Sequence, residues 1–93
     1  MQQDKNVDLF LNEVNTAIST SNDVVVSMIN GGCQVYFTCV FNDIYVDDSG
    51  AIEIDSTDGT EIKLESWDNV DADNVFFCFK NGTTECHFDF SAA

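Results

Sequence analysis

The spacing of the apolar residues changes once along the chain, near position 20. From Asp4 to about Thr20 they recur every three or four positions, which is typical of one face of an α-helix. Beyond Asp23 they alternate with polar residues, as in strands that have one buried face. The sequence therefore predicts an α+β fold: one N-terminal helix, about residues 4–20, packed on an antiparallel sheet, about residues 23–90.

Turn signals divide the alternating region into strands. The predicted strand pairs are 23–29 with 33–41, 51–55 with 60–65, and 75–80 with 83–90. Each pair flanks a segment that contains glycine, which favours a hairpin. Asn42-Asp43 is either a turn into a short strand, 44–46, or a bulge in one long strand. We expect a β-meander of five to six strands in a single domain that spans residues 1–93.

The register of two hairpins follows from their turns. A three-residue loop at 57–59, with Gly59 in the left-handed conformation, sets Ile54 against Ile62 and keeps the apolar residues on one face. A two-residue turn at Asn81-Gly82 pairs Phe79 with Thr84 and Phe77 with Cys86. Between these hairpins, the acidic residues after Trp67 predict a loop over 68–74.

The charge of the chain restricts its partners. Seventeen Asp and Glu against three Lys and Arg give a formal net charge of −14. Such a surplus opposes compaction but steers the protein toward positive surfaces and disfavours nucleic acid or an anionic membrane. The 44% apolar content and eight phenylalanines indicate a folded core. The acidity is therefore predicted to lie on the surface.

The four cysteines, Cys33, Cys39, Cys78 and Cys86, match no disulfide scaffold or zinc motif in their spacing. Cys33 and Cys39 share a strand face about 20 Å apart, too far to bridge. We expect reduced thiols in a cytoplasmic protein. The first twenty residues lack the apolar stretch of a secretory signal.

Catalysis has one candidate cluster, because His87 is the only histidine. Under the predicted hairpin register, Cys78 lies opposite Glu85 and diagonal to His87 on the outer sheet face. These residue types match a nucleophile, an orienting acid and a base. An open face offers neither a cleft nor oxyanion donors. We therefore expect a solvated cluster and no enzyme activity.

Metal and cofactor motifs are incomplete. Asp47, Ser49 and Gly50 resemble part of a calcium loop, but the first and last ligand positions fall on Tyr45 and Ser56. The aspartates of 68–74 could collect a divalent ion weakly. No phosphate-binding glycine loop or dinucleotide fingerprint is present in the sequence. The sequence predicts no metal and no cofactor.

The carboxylates themselves are the candidate binding site. Same-face residues repeat about every 6.8 Å along a strand, and strands lie about 4.8 Å apart, so acidic residues on one face form a dense lattice. We expect this lattice to bind a basic partner. The predicted partner-binding residues are Asp47, Asp48, Glu53, Asp55, Glu61, Glu65, Asp68, Asp71 and Asp73.

In size, acidity, lack of motifs and helix-plus-meander pattern, the chain resembles the small phage-encoded anti-CRISPR and anti-restriction inhibitors, several of which mimic DNA. The resemblance implies a stoichiometric inhibitor that acts in the cytoplasm of a bacterial host cell and occupies the nucleic-acid-binding or PAM-reading surface of a Cas effector or a nuclease. It carries no diagnostic motif, so it assigns no residue.

Two alternatives accompany this interpretation. One is an immunity protein that neutralises a basic nuclease toxin. The other is a structural or adaptor domain whose outer face pairs with its own copy, which Tyr36, Val40 and Phe76 would support if they were exposed together.

Overall fold

The computed structural model describes residues 5–91. One helix precedes seven antiparallel strands: α1 (Lys5–Thr20), β1 (Asp23–Asn30), β2 (Cys33–Val46), β3 (Ile52–Ser56), β4 (Glu61–Leu64), β5 (Asn69–Asp73), β6 (Phe76–Asn81) and β7 (Thr84–Asp89). The α+β class and the helix followed by meandering strands are confirmed. The predicted number of five to six strands is wrong, because the sheet has seven.

The extra strand is β5, which lies where a loop over 68–74 was predicted. Val70 is buried and Ala72 is half-buried, whereas the residues between and beside them are exposed. This alternation is the pattern of an edge strand. The interpretation as a loop was wrong because it followed the low strand propensity of Asp and Asn and overlooked two small inward residues between them.

The strands form one sheet in the order β4-β3-β2-β1-β7-β6-β5. It consists of two meanders, β1 to β4 and β5 to β7, which are joined by the pairing of β1 with β7. Strands β4 and β5 lie at the two opposite ends of this strand order, yet only residues 65–68 connect them. That link reaches about 18 Å, whereas six strand spacings in a flat sheet measure about 29 Å. The sheet must therefore curl.

Helix α1 lies against the inner face of this curl. Its buried residues are Val7, Phe10, Val14 and Ala17, at the spacing predicted for one helix face. The Phe10 ring makes edge-to-face contacts with Phe77, Phe79, Phe88 and Phe90, at centroid distances of 4.8–5.9 Å. At the other end of the sheet Ile54 and Ile62 complete the same core. No helix within residues 5–91 is long and apolar enough to cross a membrane.

Strand β2 serves both parts of the sheet. Its first half pairs with β1, and its second half pairs with β3. The register shifts between Phe41 and Asp43, so the bulge alternative at Asn42-Asp43 is the one observed. A bulge bends a strand and increases its twist. Asn42 thus marks the point where the sheet turns from one half to the other.

The two predicted hairpin registers have different outcomes. Ile54 pairs with Ile62 and Ile52 with Leu64, and Gly59 has a φ of 91°, as predicted. In the β6–β7 hairpin, however, Phe79 pairs with Cys86, two positions away from the predicted register. The turn is Gly82-Thr83, because only Gly82 has a positive φ, 60°, as a type II′ turn requires at its first position. A shift of two leaves every side chain on its predicted face.

Candidate functional site

The first candidate surface is the outer face of β3, β4 and the second half of β2, which we call the carboxylate face. Asp43 pairs with Asp55, and Asp55 pairs with Glu61, so three carboxylates stand in one cross-strand row. Glu53 and Lys63 form a pair in the neighbouring row. The inner faces of β3 and β4 are buried and, apart from Ser56, apolar. This alternation is what aims the acidic side chains outward.

The carboxylates of this face crowd one another. Oxygen atoms of Glu53, Asp55 and Glu61 lie within 4.8 Å of one another. One oxygen of Asp55 is buried and has no hydrogen-bond partner among the described residues. The pKa of Glu53 is raised, first by partial desolvation and then by Asp55 beside it. Lys63 approaches Glu53 only to 4.0 Å. The local charge is therefore mostly uncompensated.

A shallow depression of about 430 Å³ lies beside the row and is partly lined by Asp47, Glu53 and Glu65. The Asp47 carboxylate accepts hydrogen bonds from the Ser49 hydroxyl at 2.6 Å and from the Ala51 amide at 3.0 Å. These bonds lower the pKa of Asp47. The β2–β3 loop thus presents a fixed negative charge next to the row.

The second candidate surface is a groove of about 430 Å³ on the outer face of β5, β6, β7, β1 and β2. Its central row follows the register pairs across the five strands: Asp71, Cys78, His87, Ser27 and Tyr36. Asp73, Phe76, Asp89 and Val25 form the next row. The groove therefore combines acidic, apolar and metal-ligating side chains.

Acidic side chains occupy the β5 side of the groove. Asp71 accepts a hydrogen bond from Asn69 and pairs with Lys80 at 3.1 Å, and Lys80 is the main cause that lowers the pKa of Asp71. Asp68, just before β5, accepts a hydrogen bond from the Gly82 amide at 3.3 Å. Asp68 and Asp71 are thus held by residues of the β6–β7 hairpin.

Cys78 and His87 line the groove, and Glu85 contacts both of them from just outside its lining. Sγ of Cys78 lies 3.6 Å from Nε2 of His87 and 3.8 Å from Oε1 of Glu85, while those two atoms are 2.8 Å apart. The prediction that they share the outer face is confirmed, although Cys78 pairs with His87 and not with Glu85. Burial, then the Glu85 charge, raises the pKa of Cys78 to about 11. A protonated thiol is a poor nucleophile.

The predicted partner-binding residues fall into two groups. Asp47, Glu53, Asp55, Glu61 and Glu65 lie on or beside the carboxylate face, and Asp71 and Asp73 line the groove. Asp48 is exposed in the β2–β3 loop, and Asp68 precedes β5. The outer-face carboxylates of the predicted set thus line two different depressions.

Sequence reasoning left out other groove residues. Asp89, Tyr36 and Phe76 line the groove but were not included in the predicted binding set. Tyr36 is 68% exposed and Phe76 is 48% exposed, while Val40 is half-buried. The alternation of β6 and β7 placed Phe76 and Asp89 on the outer face. It could not show that β1 and β2 continue the same surface.

Comparisons with protein-family models, curated proteins and solved structures found no match to the chain.

Proposed function

We propose that this protein is a non-catalytic inhibitor that binds the basic, nucleic-acid-binding surface of a bacterial defence effector through its carboxylate face. The observation that supports this proposal is the row of Asp43, Asp55 and Glu61 across three adjacent strands. Like charges directly opposite one another in a sheet are destabilising. A row of three carboxylates is therefore costly to the free protein unless a cation compensates it.

A basic partner would supply that compensation. Arg and Lys side chains that normally hold phosphates can instead pair with carboxylates spaced at strand distances. The net charge of −14 would also accelerate the encounter with a positive groove. The proposed inhibitor would thus act by occupying the surface where the nucleic acid binds.

The uncompensated Asp55 oxygen supports the same proposal. A buried acceptor without a partner destabilises the free fold, and a donor from a bound protein would relieve that penalty. Glu61 is exposed and pairs directly with Asp55, so this position is open to a partner.

The test begins by capturing the partner from a lysate of the native host and identifying it by mass. Association kinetics are then measured for the parent and for Glu61→Lys/Glu65→Lys. We expect the association rate constant of this variant to fall about tenfold, because steering by a local charge acts mainly on association. Nucleic-acid binding by the partner should recover in parallel.

The matched control is Glu13→Lys/Asp23→Lys, which changes the net charge equally but lies on α1 and at the start of β1. The proposal requires a much smaller effect from this control. Equal losses in both variants would indicate that only the overall charge matters. An unchanged rate in the first variant would refute binding through the carboxylate face.

A second candidate is a structural or adaptor domain that pairs with its own copy. Tyr36 and Phe76 are both exposed and line the same groove. In addition, β3 pairs only with residues 41–46 of β2, and the Thr57 amide donates to the Val40 carbonyl, so within residues 5–91 no strand pairs with that side of residues 33–39. Exposed edges with apolar side chains invite strand pairing. These observations favour a second copy of the chain as the occupant.

A further inference from the structure

We propose that Cys78, Glu85 and His87 form a binding site for a divalent transition metal, with Zn²⁺ as the preferred ion. The site lies at the groove, which Cys78 and His87 line, and is separate from the carboxylate face, so it does not depend on the proposed inhibitory function. The three residues offer one sulfur, one oxygen and one nitrogen ligand atom, all within 4.8 Å of one another.

The distances fit a metal centre. Zinc binds Cys sulfur at about 2.3 Å and His nitrogen at about 2.0–2.1 Å in a tetrahedron, which places the two ligand atoms about 3.5 Å apart. Sγ of Cys78 and Nε2 of His87 are 3.6 Å apart, and Sγ to Oε1 of Glu85 is 3.8 Å. Only the 2.8 Å contact between His87 and Glu85 is too short for two zinc ligands.

Adjustment of that contact requires little movement. The Glu85 side chain is 37% exposed and can rotate away from His87 while the strands stay fixed. Cys78 and His87, in contrast, are a directly opposed pair on two hydrogen-bonded strands. Two of the three ligands are thus held in place by rigid elements, which lowers the entropic cost of binding.

The chemistry of the donors selects the ion. Thiolate and imidazole favour zinc and related transition metals, whereas magnesium and calcium prefer oxygen ligands. Asp71 is the next residue in the same cross-strand row, but it is paired with Lys80, so Glu85 supplies the main negative charge beside Cys78. Coordination would displace the thiol proton to solvent, as metals do even for thiols of high pKa.

Three protein ligands leave the fourth coordination position of a tetrahedral metal free for a ligand from the groove. Zinc sites with three protein ligands usually keep water or a substrate there. Here that position faces a space of about 430 Å³ that is also lined by Tyr36 and Phe76. The inferred site is therefore accessible to a small ligand or to a side chain of a bound protein.

Cobalt(II) provides a direct probe of this site, because a bound thiolate gives a charge-transfer band in the near ultraviolet. The parent protein, reduced and free of metal, is titrated with Co²⁺ and then with Zn²⁺. We expect one equivalent of Co²⁺ to produce the band and Zn²⁺ to abolish it. The variant Cys78→Ser should lose the band, and His87→Gln should weaken binding at least tenfold, the minimum expected from a lost ligand.

Two controls distinguish this site from other metal binding. Cys33→Ser removes an exposed thiol at the tip of the β1–β2 hairpin and should keep the band. Glu61→Gln alters the cluster of oxygen ligands on the carboxylate face and should keep it too.

Several results would overturn the proposal. They are a band that persists in Cys78→Ser, a band lost in Cys33→Ser, or cobalt binding without any thiolate band. Equal affinities of His87→Gln and the parent would also refute it. If Cys78→Ser fails to fold, His87→Gln decides the question, because the His87 side chain is 42% exposed and its replacement leaves the core intact.

Discussion

Replacing Phe10 with alanine tests the central packing of this fold. The Phe10 side chain is fully buried on the inner side of α1 and contacts four phenylalanine rings from β6, β7 and the segment after β7. Its removal leaves a cavity between helix and sheet, because rings fixed on strands cannot collapse fully into the space.

The expected cost is large relative to the stability of the protein. Truncation of a buried phenylalanine costs about 3–5 kcal/mol. At roughly 0.05–0.15 kcal/mol per residue, a chain of 93 residues has a free energy of unfolding of about 5–14 kcal/mol. We therefore expect Phe10→Ala to remove about a fifth or more of the total.

Urea unfolding followed by tryptophan fluorescence measures this loss. Trp67, the only tryptophan, packs edge-on against Phe79 at 5.1 Å, and Phe79 contacts Phe10, so its emission reports on this core. The matched control is Leu9→Ala. Leu9 is 45% exposed on the adjacent position of the helix, and its truncation should cost about 0.5 kcal/mol or less. Equal costs for the two variants, or a loss below about 1 kcal/mol for Phe10→Ala, would show that the assigned helix face is wrong.

Two further predictions concern the β3–β4 turn and the groove. The Asp58 carboxylate accepts hydrogen bonds from the Ser56 hydroxyl and the Thr60 amide, which lower its pKa from 3.8 to about 2. The contribution of Asp58 to stability is therefore complete above the unfolded pKa and is lost as the pH falls through about 2. The variant Asp58→Asn should flatten the dependence of the urea midpoint on pH over this range. An unchanged slope would contradict this prediction. For Tyr36→Ser we expect the same monomeric sedimentation as for the parent, because two copies that each carry −14 repel one another. A parent dimer that this variant dissociates would instead favour the self-pairing candidate.

Much of the fold was predictable because local patterns carried it. The 3–4 spacing from Val7 to Ala17 predicted α1, and four isoleucine and leucine residues predicted the β3–β4 register, since only one loop length keeps them on one face. These predictions succeeded because the apolar pattern and the turn geometry favoured the same register or the same buried face.

The errors have physical causes. The Asn81-Gly82 dipeptide favours a type I′ turn, but the observed turn is a type II′ turn one residue later. Both turns place each side chain on the same face of the sheet, so the apolar pattern could not distinguish them. In β5 the inward residues are Val70 and Ala72, too few and too small to outweigh the Asp and Asn beside them.

The candidate site was less predictable than the fold. The alternation of side chains along β6 and β7 predicted that Cys78, Glu85 and His87 share a face, because all three residues belong to one hairpin. The groove, in contrast, requires β1 to pair with β7, and no local pattern specifies a contact between Ser27 and His87. The division of the acidic residues into two surfaces follows from the same long-range pairing.

That pairing of β1 with β7 also governs how the chain can fold. Asn30 pairs with Thr84, and Val25 pairs with Asp89, so the central strand β1 acquires its second neighbour only when the last strand, β7, is in place. Distant pairings of this kind slow folding, and they leave intermediates with unsatisfied backbone groups and uncovered apolar side chains. A nascent or truncated chain that ends before residue 84 would lack the β7 side of the aromatic cluster. Such a chain would cover its exposed apolar side chains by self-association.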